Sequence, residues 1–290
     1  MGCLCQVLGV SRSGYYRYLK GETYSVSDQK QEQHQAIEDL FWEHKRGYGT
    51  GRLQAELAAQ GITIGRHTIQ KVLKEKELKA IQPKRFIPKT TQSKHGKRNS
   101  ANLLLEQTTA DKPNQIWVCD ITYLPLANGG FAYLVTWIDL FSCYVVGWQV
   151  GKTMEEELVI VALQNRLQTR KPTPGLILHS DRAGQYVSKK LRVLMKKCKC
   201  NQSMSRADQV YDNAFAESFF SCFKTELVEN GTFLSVEDAK TVPKAFGIEY
   251  IEIYYNRNRR HSALGYKSPA EFEQLYQINL IHSQVLCPDF

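Results

Sequence analysis

The sequence predicts an α/β core preceded by a small helical domain. Three observations lead there. Residues 34–78 carry apolar positions at helical spacing, broken by glycines. From Pro113 onward three β-rich runs follow one another. After them, helix-like and strand-like apolar patterns alternate. A chain of 290 residues is long enough for about two such domains.

In the first third, Ile37, Leu40 and Phe41 recur at helical spacing and predict a helix over 34–46. Gly47-Tyr48-Gly49-Thr50-Gly51 breaks the chain, and Thr50 is the expected N-cap of a second helix through Leu53, Leu57 and Ala58. Gly61 ends it, and a third helix is expected over 65–78. Helix, glycine-containing turn, helix is the outline of a helix-turn-helix, although many helical hairpins without a DNA role share it. The third helix opens with Arg66, His67, Thr68, Gln70 and Lys71, side chains able to reach phosphates or base edges. Upstream, residues 11–20 are short, basic and aromatic. Downstream, residues 79–98 hold seven Lys/Arg, among them Lys84 and Arg85, with two prolines and no acid. Such a stretch cannot bury a core and reads as an extended linker suited to a phosphate backbone. The expected division is an N-terminal segment 1–33, a DNA-binding domain 34–78, a linker 79–112, a core 113–275 and a tail 276–290.

The core reads in order. Gln115–Pro125, Phe131–Leu140 and Tyr144–Gly151 are β-rich, with Asn128-Gly129-Gly130 as a hairpin turn between the first two. Glu155–Thr169 is a helix carrying Leu158, Val159, Ala162 and Leu163, and Leu176–His179 is a short buried strand. Asp212–Val228 is an amphipathic helix with Phe215, Phe219, Phe223 and Leu227 as its expected core face. A three-stranded meander followed by alternating helix and strand is the order of a ribonuclease-H-like fold.

Composition narrows the classes. Residues 1–112 hold 19 Lys/Arg against 11 Asp/Glu, and residues 113–290 hold 19 against 18, so the excess of the +9 chain lies in its first third. A basic excess confined to one segment fits a polyanionic partner, or a basic face kept for solubility. The eight cysteines show no zinc-ligand spacing, and Cys119 and Cys143, in apolar runs, read as buried thiols of a reducing compartment. No apolar run approaches the ~18 residues of a membrane span and no signal peptide is evident, so no membrane partner and a cytoplasmic location are expected.

The chemistry rests on three acids. Asp120 lies mid-strand in Ile116-Trp117-Val118-Cys119-Asp120-Ile121-Thr122-Tyr123-Leu124, where aspartate is depleted, and no Lys or Arg falls between Pro113 and Lys152 to pair with it locally. Taken alone, it reads better as a residue on a solvent face. Asp181 follows the buried strand at its C-terminal end, where α/β sheets place ligands. Glu217 lies opposite the expected core face of the amphipathic helix, with Asn213 and Lys224 beside it within roughly 40° at 100° per residue. Three carboxylates on two strands and a facing helix can hold two Mg²⁺ ions about 4 Å apart for an in-line phosphoryl displacement. Magnesium prefers hard oxygen donors, which these are.

Four longer blocks carry a resemblance. They are Trp117–Tyr123, the His179-Ser180-Asp181-Arg182-Ala183-Gly184-Gln185-Tyr186 run, Tyr211–Phe220, and Tyr255–Pro269. Thirty-five residues separate Asp181 from Glu217. In these blocks and that spacing, and over nearly its whole length, the chain resembles the OrfB transposases of bacterial insertion-sequence family three, relatives of retroviral integrases. The resemblance implies that Asp120, Asp181 and Glu217 form the catalytic, metal-binding triad, with Mn²⁺ able to replace Mg²⁺. It implies that Lys224 meets the element's terminal DNA and that residues 34–78 are the family's helix-turn-helix. Strand cleavage and joining of DNA would follow, with terminal repeats and target DNA as partners. A homo-oligomer on DNA and association with the upstream-frame product are implied as well. The Tyr255–Pro269 block offers phosphate contacts through Arg259, Arg260 and His261, or a structural clasp.

Two positions depart from the family pattern. Ala183 stands where glycine is usual, and would be strained if φ there were positive. Cys143 stands where a basic residue is common. A ribonuclease-H-like nuclease that only hydrolyses, and a decayed DNA-binding derivative, are the alternative readings. Met1–Val10 is apolar and uncharged and reads as the continuation of something upstream.

Overall fold

The computed structural model describes residues 5, 7, 9–21, 28–81, 99–105, 109–126, 130–206, 214–227 and 247–286. The chain divides into two compact units, Met1–Ala80 and Ile81–Phe290.

The first unit contains helices α1 (Arg12–Leu19), α2 (Asp28–Glu43), α3 (Thr50–Ala59) and α4 (Arg66–Glu75). Ile37, Leu40 and Phe41 of α2, Leu53 and Leu57 of α3, and Ile69, Val72 and Leu73 of α4 close one apolar core. The helix periodicity is therefore borne out, with α2 starting earlier than residue 34. The N-cap of α3 differs from the expectation: Gly49 occupies it without a side-chain bond, and Thr50 is the first helical residue. Gly61, at φ +81°, makes the turn that only glycine adopts without strain. The turn is braced by Gln54, which donates to the Ile64 carbonyl at 2.9 Å and accepts from Arg66 Nε at 3.1 Å.

The second unit is a five-stranded mixed sheet, order β3-β2-β1-β4-β5, of β1 (Ile116–Pro125), β2 (Phe131–Asp139), β3 (Val145–Gly151), β4 (Ile177–Ser180) and β5 (Asn201–Met204). The first three form the antiparallel meander, and β4 and β5 join parallel to β1. Helices α5 (Glu156–Arg170) and α6 (Lys189–Lys197) cover one face, with Trp117, Cys119, Val135 and Leu178 beneath them. Helix α7 (Ala214–Leu227) and the π-helix Gly247–Asn258 cover the other, over Ile116, Val118, Leu134 and Ile177. Period-two alternation along β1 thus sorts its residues between two cores. Gly147 lets α5 approach β3, because a Cβ there would stand 2.5 Å from the Ala162 carbonyl oxygen. This is a ribonuclease-H-like arrangement.

Several expectations are corrected. Helix α6 and strand β5 join the elements that the apolar pattern predicts. Residues 99–105, expected in the linker, pack on β5: Leu103 N donates to Ser203 Oγ at 2.9 Å and Met204 N to the Ala101 carbonyl at 3.2 Å. The inward face of α7 is Ala216, Phe219, Phe220 and Phe223, whereas Phe215 is 54% exposed. Cys143 lies in the tight β2–β3 turn at φ +57° rather than in a strand. Ala183 is absent from the positive-φ positions, so strain does not arise there.

The last helix, α8 (Pro269–Leu286), is tied to the sheet by a polar clasp. Arg170 donates to both oxygens of Glu273 at 3.0 Å, Ser142 donates to Glu273 at 2.6 Å, and Phe141 packs against Phe272 and Tyr276. Beside it, burial pushes Asp139 up to about 6, although it accepts from Asn114 N and Phe141 N. Among the described residues no helix is long and apolar enough to cross a membrane.

Candidate active site

Asp120 shares the parity of Ile116 and Val118, so its side chain faces α7. In the β1–β4 ladder Val118 stands opposite His179, and continuing that register by two residues brings Asp120 beside Asp181. The β4 end is held by His179, fully buried, whose ring nitrogens share hydrogen bonds with Ser203 at 2.8 Å and Ser205 at 3.1 Å. Asp181 turns the chain there, its carboxylate accepting from Ala183 N at 2.9 Å. Gln185 anchors the turn by donating to the Met154 carbonyl.

The electrostatics follow from this pairing. Burial, and then the charge of Asp181, push Asp120 up to about 8, with Glu217 adding to the rise. The Ile121 amide, donating at 2.8 Å, and the more distant Lys224 oppose it. Lys224, half-buried on α7, is itself lowered by burial, against the field of Asp120. Burial also raises Glu217, although its side chain is exposed. On the opposite face of the sheet, the buried Cys119 thiol donates to Tyr186 Oη at 3.6 Å.

The structure therefore brings Asp120, Asp181, Glu217 and Lys224 into one electrostatic neighbourhood. It does not bring three of them into contact: among the described residues no trio of acidic, histidine or cysteine side chains is close enough to grip one ion. Two adjacent carboxylates, one of them with its pKa pushed up to about 8, are nevertheless an all-oxygen donor set that fits a hard divalent cation. Asn213, Lys84 and Arg85 lie outside the described residues. In the first unit, Arg66, His67 and Lys71 line the exposed face of α4, with Arg66 partly engaged by Gln54 and Lys71 by Glu75 at 3.7 Å.

Within the Tyr255–Pro269 block, Arg259 serves the clasp. Arg259 is 1% exposed and donates through Nε and Nη2 to Glu226 of α7 at 3.0 and 2.8 Å, so it is not available to a DNA phosphate. Its guanidinium also lies 5.6 Å from the Tyr255 ring centre. Arg260, half-buried, donates to the Tyr266 carbonyl, and His261 packs edge-on against Tyr255. No local signal points to this network, because Glu226 is 33 residues away from Arg259.

Comparisons with known proteins identify the family. Residues 28–86 match the HTH-like domain family, and residues 110–209 and 198–269 match two integrase core domain families. A 31 kDa uncharacterized protein of insertion element IS600 from Shigella sonnei is 40% identical over 276 residues, covering 94% of this chain and 98% of its own. The transposase InsF for insertion sequence IS3A of Escherichia coli is 38% identical over 272 residues, covering 93% and 92%. Among solved structures, the HTLV-2 integrase catalytic core domain in complex with magnesium aligns at 17% identity and a TM-score of 0.43, over 56% of this chain and 98% of that one. With relatives of this identity spanning almost the full length of both partners, the chain belongs to the IS3 family of transposases, DDE-type enzymes with a helix-turn-helix-like DNA-binding domain before an integrase core.

Proposed function

We propose that Asp120, Asp181 and Glu217 together hold divalent metal, two Mg²⁺ with Mn²⁺ as a substitute, and that the chain cuts DNA at the element ends and joins them to target DNA. The observation that carries this reading is the Asp120–Asp181 pair: one carboxylate on β1 and one just past the end of the neighbouring parallel strand β4, with Asp120 lifted to about 8. Such a pair is costly unless a cation joins it. When bound, the ions supply activation of the attacking oxygen and stabilisation of the leaving one.

The chain's own residues supply binding and orientation. Lys224, half-buried and in the field of Asp120, serves a phosphate next to the scissile bond. Arg66, His67 and Lys71 on the exposed face of α4 bind the terminal repeat, with Asn213, Lys84 and Arg85 as further contacts implied by the family. Arg260 and His261 are left as rim contacts at most, since both are engaged in the clasp. In cleavage, a water oxygen bonds to phosphorus as the P–O3′ bond breaks, leaving a 3′-hydroxyl and a 5′-phosphate. In joining, that 3′-oxygen bonds to a target phosphorus as its P–O3′ bond breaks. The number of phosphodiesters is unchanged in the second step, so no energy-supplying co-substrate is required. The reading includes a homo-oligomer on paired ends and association with the upstream-frame product, both from family resemblance, and action in the cytoplasm.

The test is incubation of the full chain with labelled terminal-repeat duplex and Mg²⁺. Joined products that vanish in Asp120→Asn, Asp181→Asn and Glu217→Gln, with DNA binding retained, are expected. Cleavage without joining would favour a nuclease, and binding alone a decayed derivative. A Glu217→Gln protein that joins at the parent rate would remove Glu217 from the triad.

A further inference from the structure

The near-neutral balance of residues 113–290 conceals a strong separation of charge. Between Asp181 and Asp208 the sequence holds eight Lys/Arg and no acid: Arg182, Lys189, Lys190, Arg192, Lys196, Lys197, Lys199 and Arg206. The remainder of 113–290 then holds 11 Lys/Arg against 18 Asp/Glu, a balance of −7. Most of the basic segment is helix α6 and its exit. Ser188 caps the helix, its hydroxyl accepting from Leu191 N. Leu191 and Met195 are buried beneath α6, which fixes the opposite face outward. That face carries Lys189, Lys190, Lys196 and Lys197, continued by Lys199, all exposed.

Helix stability does not account for the first turn of this arrangement, although Lys196 and Lys197 in the last turn suit the dipole. Two lysines sit in the first turn, where the helix dipole disfavours cations and where no acid is present. Arg192 and Lys196 are like charges at i, i+4, which repel. Among the described residues only Lys190 of the five exposed lysines has a carboxylate within ion-pair distance, Glu156 at 3.2 Å and Glu157 at 3.9 Å. A face kept for solubility mixes signs, whereas this one has a single sign while the rest of residues 113–290 is acidic.

The face is also separate from the reacting centre. Helix α6 packs on the α5 side of the sheet, while Asp120, Glu217 and Lys224 belong to the α7 side. It starts eight residues after Asp181 and runs back along the β4–β5 edge for about 13 Å. Over that length a duplex presents about eight phosphate charges.

We propose that the lysine face of α6 is a second DNA-binding surface, which docks the sugar-phosphate backbone of a duplex away from the strand undergoing chemistry and without reading its sequence. The proposal rests on the chain acting on DNA, and its test needs no chemistry. The full chain, without divalent metal, is titrated with terminal-repeat and scrambled duplexes at several salt concentrations. The variant Lys196→Gln/Lys197→Gln/Lys199→Gln is expected to lower the slope of log affinity against log salt by about 2 to 3, at about 0.9 for each phosphate no longer neutralised, on both duplexes alike. The matching Lys→Arg triple is expected to keep the parent slope. An unchanged slope in the Gln triple overturns the proposal, as does an equal loss in the Arg triple, or a loss confined to the terminal repeat. A parent chain that joins strands while its Gln triple keeps the slope would sink this surface and leave the proposed reaction standing. A parent that binds no duplex would sink both.

Discussion

Replacing Arg259 by alanine is expected to destabilise the catalytic unit by about 3–5 kcal/mol, the range for removing one partner of a buried ion pair. The structure sets this near the top of what a single substitution does. Arg259 is 1% exposed, and the Glu226 side chain it serves is 10% exposed. Alanine would take the guanidinium from that carboxylate and leave the Tyr250 hydroxyl donating to it. It would also remove the guanidinium from the Tyr255 ring, worth about 0.5–2 kcal/mol in its own right. Removing both charges tells a different story: Arg259→Met with Glu226→Leu fills the space with apolar atoms and leaves only the Tyr250 hydroxyl without its acceptor, so the pair should recover part of the loss. A coupling energy of about 2 kcal/mol or more is therefore expected in a double-mutant cycle. Urea unfolding followed by the fluorescence of Trp117, Trp137 and Trp148, all in the sheet, reports on the right unit once Trp42 of the first unit is replaced by phenylalanine in every variant. Arg259→Ala within about 1 kcal/mol of the parent, or a double variant no better than the singles, would contradict this account of the pair.

Three further outcomes are expected. Because the folded pKa of Asp120, about 8, lies above the ~3.9 of an unfolded aspartate, the stability gained from its proton is complete below about pH 4 and is lost as pH rises to 8. The metal-free chain should therefore melt lower at pH 8 than at pH 5, Asp120→Asn should lack this part of the slope, and Mg²⁺ should restore it at pH 8; parallel melting profiles for the two proteins would count against the site. Lys224→Ala should abolish joining while keeping most DNA affinity, and should move the pH midpoint of that melting profile upward, since the lysine opposes the rise of Asp120; unchanged joining would leave it a surface lysine. His67→Ala/Lys71→Ala should lower the salt slope of binding by about 1 for each phosphate no longer neutralised, and the chain alone should prefer terminal repeat over scrambled duplex by less than ~10³-fold, which competition titration measures.

What the sequence makes legible is what local pattern determines. The β1 to β3 runs can be read from their β-rich composition, β4 as a short continuous apolar run, and α5 from apolar residues at helical spacing. Strand β5 cannot, since Asn201-Gln202-Ser203-Met204 is mostly polar and becomes a strand through pairing with β4 and cover from residues 99–105. Helix α6 buries only two side chains, so its pattern looks like a basic surface, and averaging over residues 113–290 erases its charge. On α7, phenylalanines lie on both sides of the true stripe, and a face drawn through Phe215 rather than Phe220 misses the i, i+3, i+4, i+7 pattern that starts at Ala216. Asp120 stands out by its oddness within a strand and Asp181 by its place at the end of one, but their adjacency comes from the parallel β1–β4 register, which no local signal carries. Arg259 has the residue type of a phosphate ligand, and only tertiary structure supplies the glutamate that claims it.

The Glu273 clasp has a consequence for where this protein can be cut. The integrase core match stops at residue 269, and every candidate site residue lies before that point. The folding unit does not stop there. A chain ending at 269 would keep its whole catalytic apparatus yet strip Arg170 of its bidentate partner, Ser142 of its acceptor and Phe141 of two aromatic neighbours, where β2 turns into β3. A premature stop codon just past that position is thus a folding lesion rather than a harmless trim, and the boundary of sequence kinship is not the boundary of cooperative structure.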